Sequence, residues 1–337
     1  MHQPTVTPQK SGTTQVLIAV SPVNSRVVWA SGRGGTYVVT TNGGQTWRAG
    51  VVPGAEALQF RDVQGVSDKV AYLLSIGSGP DSRIYKTVDG GAHWTLQFQN
   101  QVATAFYDCF AFWDARNGIA QSDSVSGRFP LIRTTDGTTW TDIGNNLPPA
   151  LAGESSFASS GTCVAAQGKS NAWIVTGGAS RARVLATEDR GNTWNAYDSP
   201  LRGSPSGGNF SVAFRDARHG IIGGGDIGPA ALPFDQTAVS SDGGKTWTIT
   251  AEQPNIGTVF GLSYAGEVGI GRGPDNDVAN ANRTVVVTGP GGSAWTPNEG
   301  SSWFTLPGVT GCWGVAFGSP KVGWLVGTNG QIQRIDF

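Results

Sequence analysis

One motif recurs along this chain and limits what it can fold into. It joins a hydroxyl residue, a turn built on Asp or Asn with Gly, and a tryptophan. The copies are Thr40-Thr41-Asn42-Gly43-Gly44-Gln45-Thr46-Trp47, Thr87-Val88-Asp89-Gly90-Gly91-Ala92-His93-Trp94, Thr134-Thr135-Asp136-Gly137-Thr138-Thr139-Trp140, Thr187-Glu188-Asp189-Arg190-Gly191-Asn192-Thr193-Trp194 and Ser240-Ser241-Asp242-Gly243-Gly244-Lys245-Thr246-Trp247. A more diverged sixth is Thr296-Pro297-Asn298-Glu299-Gly300-Ser301-Ser302-Trp303. The tryptophans fall 47, 46, 54, 53 and 56 residues apart, a period that marks a closed array of small sheets.

The chemistry of the motif is that of a hairpin turn. The Asp or Asn side chain accepts hydrogen bonds from backbone N–H groups ahead of it, and glycine takes the positions of positive φ. The residues on either side are strand formers, and the indole fills space between packed sheets. Asn42, Asp89, Asp136, Asp189, Asp242 and Asn298 are therefore expected to be structural.

Fifty glycines and 14% charged residues in 337 suit turn-dense all-β structure with little room for helices. A repeat running end to end favours one closed array over the two domains that such a length would otherwise suggest. The net charge of −1 gives no field that would gather nucleic acid or an anionic membrane. No apolar run is long enough to span a bilayer. The basic residues are 17 arginines and 6 lysines, a bias towards planar, bidentate anion contacts. Cys109, Cys163 and Cys312 lie far apart in predicted strands without metal-ligand spacing, and read as small buried apolar residues. The start, Met1-His2-Gln3-Pro4, carries no signal-peptide core, which fits a cytoplasmic protein and a mature exported one equally.

Taken in order, strand-like runs give seven blade starts, near residues 15, 57, 108, 162, 210, 258 and 311. The last blade has three strands and no motif. A three-stranded blade would leave an open edge, so Thr5–Thr7 is expected to pair with Gln331–Ile335. The prediction is an all-β, seven-bladed propeller of four-stranded antiparallel blades, with residues 1–10 as the closing strand and 11–337 as the propeller. A second repeat, Phe60-Arg61-Asp62, Phe112-Trp113-Asp114-Ala115-Arg116-Asn117-Gly118 and Phe214-Arg215-Asp216-Ala217-Arg218-His219-Gly220, echoed at Phe317–Gly323, reads as the turn between first and second strands.

The turn motif resembles the Asp-box (BNR) repeat of sialidase-like propellers. Combined with the second repeat over about residues 11–337, it is similar to the photosystem II stability/assembly factor type of propeller and its bacterial relatives. That resemblance implies a non-enzymatic propeller that holds a partner polypeptide. It also implies a periplasmic or extracellular location, since many relatives are exported. The arginine-rich patch of the photosynthetic members has no residue-by-residue match here.

Strand alternation puts the Asp boxes at one end and the fourth-to-first and second-to-third connections at the other. That second end should carry function. Glu56 and Asp108 stand six residues before Asp62 and Asp114, and Arg83 and Arg183 six before Asp89 and Asp189. With Asp123, Arg128 and Glu154 they form the expected binding rim, suited to a peptide or a polar ligand. The competing reading is that these arginines and acids pair with one another and tie the structure together. A sialidase-like glycoside hydrolase or lyase using Glu56 and Asp108 is the alternative function, but the Arg-Ile-Pro motif of sialidases is replaced by Gly127-Arg128-Phe129-Pro130. No metal or cofactor is expected. His2, His93 and His219 are scattered, and Asp275-Asn276-Asp277 lacks the following glutamate of a calcium loop. A protein or peptide partner is expected, a glycan is the second choice, and the chain is expected to be monomeric.

Overall fold

The computed structural model describes residues 3–228, 236–254, 256–266 and 282–337. Seven sheets of four antiparallel strands form the seven blades, six of them in chain order and the last completed by an N-terminal strand. Their first strands are Leu17–Pro22, Gln59–Gly65, Tyr107–Phe112, Val164–Gln167, Gly207–Phe214, Gly261–Tyr264 and Cys312–Ser319. These first strands pack against one another around the axis. Burial falls outward: in blade one Val28–Gly32 and Thr36–Thr40 are wholly buried, whereas Arg48–Val51 is largely open.

Blade seven is completed by Thr5–Lys10, which pairs with Gln331–Asp336 in the register Val6 to Ile335 and Gln9 to Ile332. The ring thus closes as expected, with a strand from each end of the chain hydrogen-bonded side by side.

Each Asp box is built around its first residue. In the second copy Thr87 Oγ1 accepts from Gly91 N at 2.9 Å and donates to Asp89 Oδ1 at 2.9 Å, while Asp89 Oδ1 also accepts from His93 N at 2.9 Å. Ser240, Asp242, Gly244 and Thr246 repeat these bonds, as do Thr296, Asn298, Gly300 and Ser302. The hydroxyl is the hub of the turn as well as a strand residue. The second glycine has a further role. Gly91 has φ +87° and a Cβ there would come within 2.7 Å of the Tyr37 ring, whose hydroxyl donates to Gly91 O at 2.6 Å. Trp173 Nε1 reaches Gly243 O in the same manner, at 2.8 Å. These boxes stitch blade two to blade one and blade five to blade four.

Two sequence expectations are corrected here. Phe60-Arg61-Asp62 is not a turn but lies inside the first strand of blade two; the turn is at Val66–Val70, closed by Val66 N donating to Val70 O at 2.9 Å. Glu56 and Asp108 are consequently not equivalent positions. Cys109 and Cys163 are not simple buried thiols but a disulfide joining the first strand of blade three to the start of blade four, with Cα atoms 5.9 Å apart. Cys312 stays a buried free thiol, its pKa pushed up to about 12 by burial. Among the described residues no group of three His, Cys, Asp or Glu side chains is arranged to hold a metal ion. The Asp275-Asn276-Asp277 loop lies outside the described residues.

Candidate binding site at the channel mouth

In five blades the first strand carries a β-bulge at one level, between Leu17 and Ala19, Phe60 and Asp62, Tyr107 and Cys109, Asn209 and Ser211, and Cys312 and Gly314. The extra residues are Ile18, Arg61, Asp108, Phe210 and Trp313. A bulge re-aims the side chain it inserts, and these converge on the axis. The Arg61 guanidinium stands over the Trp313 ring at 5.2 Å, although the two residues belong to blades separated by blade one. Phe210 stacks on Phe157 with ring centres 4.0 Å apart and lies parallel to Phe260, which meets Trp313 edge-on at 5.1 Å. One half of the channel wall is thus aromatic and the other charged.

The channel is not open. The segment Glu154–Gly161, which leads into blade four, crosses it. Ser155 pairs through its backbone with Gly177, and Ser156 N donates to Asp123 Oδ1 at 2.9 Å. Ala158 O accepts from Arg61 Nη1 at 2.9 Å, and Ser159 and Ser160 each donate through Oγ to Phe260 O at 2.7 Å. Gly161, with φ +78°, lies so close to Asp62 that a Cβ would come within 2.4 Å of its Oδ1. Blades two, three, four and six therefore all hold this plug.

Two buried carboxyls, Asp62 and Asp108, and the half-buried Asp123 surround it. Burial drives Asp62 well above the usual aspartate range, against the opposing pull of its bonds from Phe110 N at 2.8 Å and Val63 N at 2.7 Å. Asp108, 1% exposed, is driven well up by burial and by the adjacent Asp123 carboxyl, against the pull of the Asp123 amide and of Arg61. Asp123 rises to about 6, chiefly through burial. Arg61 is pushed the other way, below the usual arginine value, by burial and by the nearby Arg33, against the opposing pull of Asp108. Arg61 Nε is buried with no partner, and the exposed Arg33 side chain makes no hydrogen bond or ion pair among the described residues. Arg61 thus lies beside Trp313 with Asp108 near it, and Arg33 adds a second, unpaired positive charge close to Arg61.

The rim residues named from the sequence divide differently. Arg183 grips Glu154 through Nε at 2.8 Å and through Nη2, and also donates to Pro149 O at 3.0 Å; Glu154 is 1% exposed. Arg128 pairs with Asp142 at 2.6 Å within blade three. Arg83 donates to Pro80 O and to the Tyr85 hydroxyl. Glu56 is exposed, and its pKa is lowered by its own backbone N–H and by that of Gly54, from which it accepts. Asp108 lies against Asp123 next to the plug, and Glu154, at the start of the plug, is held by Arg183. Arg61, Arg33, Phe157, Phe210, Phe260 and Trp313 escaped sequence reasoning. The available signal was that Arg61 and Asp108 are 47 residues apart, one blade period.

No family model matches the sequence, and no curated protein matches it. Solved structures do. YCF48 bound to D1 peptide aligns over 100% of this chain and 98% of its own, with TM-score 0.62 and 17% identity. YCF48 from Cyanidioschyzon merolae aligns over 98% of both chains, with TM-score 0.64 and 14% identity. In fold, the chain is similar to the photosystem II assembly-factor propellers. A GH74 enzyme of Niastella koreensis also matches, at TM-score 0.56 and 15% identity, but this chain spans only 43% of it.

Proposed function

We propose that this protein is a non-catalytic propeller that holds a polypeptide segment at the plugged mouth of its channel. The observation that carries the reading is Arg61 standing over the half-exposed ring of Trp313, which meets the half-exposed Phe260, with the exposed Arg33 near enough to act on Arg61 and without an ion pair among the described residues. Guanidinium groups next to aromatic faces suit a peptide that offers carboxylate or carbonyl oxygens together with apolar side chains. The likeness to a propeller solved with a bound peptide supports the same class of ligand. The Cys109–Cys163 disulfide supports a location outside the cytoplasm, where such bonds persist. We take the chain to work as a monomer.

A glycoside hydrolase on this face would need two carboxyls roughly 5–10 Å apart with a sugar between them. Asp108 and Asp123 instead touch each other beneath the plug, so the geometry favours binding over hydrolysis. The test is affinity capture from the source organism, followed by binding measurements on the polypeptide recovered. Arg33→Glu is expected to weaken binding at least tenfold without lowering the melting temperature, and Arg83→Ala to leave it unchanged. Turnover of a chromogenic glycoside that disappears in Asp108→Asn or Glu56→Gln would overturn the reading.

A further inference from the structure

The plug is fastened at one place by two acids rather than by an acid and a base. Asp123 Oδ1 receives Ser156 N at 2.9 Å, and the other side of that carboxyl lies against Asp108. Asp108 Oδ2 is buried and has no N–H or O–H donor among the described residues. Two carboxylates in contact, one of them fully buried, repel, so one proton between them is what makes the contact attractive. We propose that Asp108 and Asp123 form a proton-operated latch on the axial plug: while they share a proton, Glu154–Gly161 is held across the channel, and loss of that proton loosens it.

The surroundings make the latch specific. Arg61, on the neighbouring first strand, is the cation nearest Asp108, but it is committed to Ala158 O and the Trp313 face, and Arg33 stands behind it. Asp62, on the same strand, turns to Phe110 N and Val63 N. Glu154 is taken by Arg183, and Arg128 by Asp142. Arg61 lowers the Asp108 carboxyl, but by less than burial and Asp123 raise it, so its charge does not replace the shared proton. The plug also carries Phe157 and the carbonyl that positions Arg61, so a loosened plug changes the mouth. That consequence rests on the binding reading above; the latch itself does not.

The direction follows from the sign of the shifts. Both carboxyls are raised in the folded protein, so the latch is fully closed below the usual aspartate value of about 4. It is lost as pH rises through about 6, where Asp123 titrates, and beyond.

The test is hydrogen–deuterium exchange of the plug amides, Ser156 above all, from pH 5 to pH 8. Rates are corrected for intrinsic exchange and compared with Leu325 in blade seven, which reports opening of the whole ring. The Ser156 protection factor is expected to fall at least tenfold over that range while that of Leu325 holds. Asp108→Asn, whose amide donates permanently to Asp123, is expected to remove the pH dependence. If Asp108→Asn does not fold, Asp123→Asn serves as the second variant, and the wild-type series stands alone. Constant Ser156 protection, an equal fall at Leu325, or unchanged pH dependence in a folded variant would each overturn the latch.

Discussion

Gln9 Oε1 accepts from Trp324 Nε1 at 3.2 Å, bonding the closing strand to the blade that it completes. The same oxygen accepts from Trp47 Nε1 of blade one at 3.0 Å, so one side chain joins both sides of the seam. Trp324 is fully buried. Gln9→Ala would leave two indole N–H groups unpaired at the seam, at a cost of roughly 1–3 kcal/mol for a buried group. The expected result is a lower urea midpoint at unchanged slope for Gln9→Ala. Gln9→Glu, which keeps an acceptor, should fall less.

The Arg183–Glu154 pair yields a larger effect. Both side chains are almost fully buried, and Glu154 also accepts from Thr176 Oγ1 at 2.6 Å and from Leu151 N at 2.7 Å. Removing one partner of a buried, hydrogen-bonded pair costs about 3–5 kcal/mol, because the other charge is left behind. Arg183→Ala should lose that much in equilibrium unfolding, and Glu154→Ala a similar amount. Changing both together should cost much less than the sum. A pair of this kind is a fixture of the plug, which is why Arg183 makes a poor reporter of ligand binding.

The sequence revealed the ring because its defining contacts are local. A box turn is complete within eight residues, so Thr87 to Trp94 announces a turn wherever it stands, and six such turns count the blades. The missing fourth strand of blade seven was legible for the same reason, as a shortfall in the count. The channel was not legible, because it is made where seven distant segments converge. Arg61 was hidden by a bulge, which adds one residue and moves the register so that Phe60-Arg61-Asp62 imitates a turn. The disulfide was hidden by distance along the chain. Yet its separation of 54 residues equals the spacing from Trp140 to Trp194, which places both cysteines at similar heights in adjacent blades.

That disulfide closes a loop of 54 residues containing the plug. Constraining a loop of this length in the unfolded chain is worth on the order of 4 kcal/mol. Cys109→Ser with Cys163→Ser should lower stability by about that amount, measured against wild type under non-reducing conditions. Peptide mapping without reductant should recover the two cysteines in one cross-linked fragment and Cys312 as a free thiol. Recovery of Cys312 in the cross-link would contradict the arrangement.

The box aspartates and the axial aspartates should respond to pH in opposite senses. Asp242 feels some burial, but donation from Thr246 Oγ1 and N, from Ser240 Oγ and from Lys245 N holds it down at about 2. Asp136 lies at about 2 through the amides of Thr139 and Thr138, and Asp89 at about 2 through His93. A lowered carboxyl stabilises the fold above its unfolded value near 4, and that contribution disappears as pH falls through 2. The axial acids are raised, so their contribution is present in acid and lost as pH rises through 6. Asp242→Ala should therefore depress the melting temperature clearly at pH 6–7 and hardly at all near pH 2. Because that carboxylate is largely exposed, its share at neutral pH is modest and dominated by the turn hydrogen bonds, about 1 kcal/mol. Asp108→Asn should show the reverse trend, with its melting temperature gaining on wild type from pH 5 to pH 8. Parallel melting curves for Asp242→Ala and wild type from pH 2 to pH 7 would show that the box carboxylate does not hold its turn.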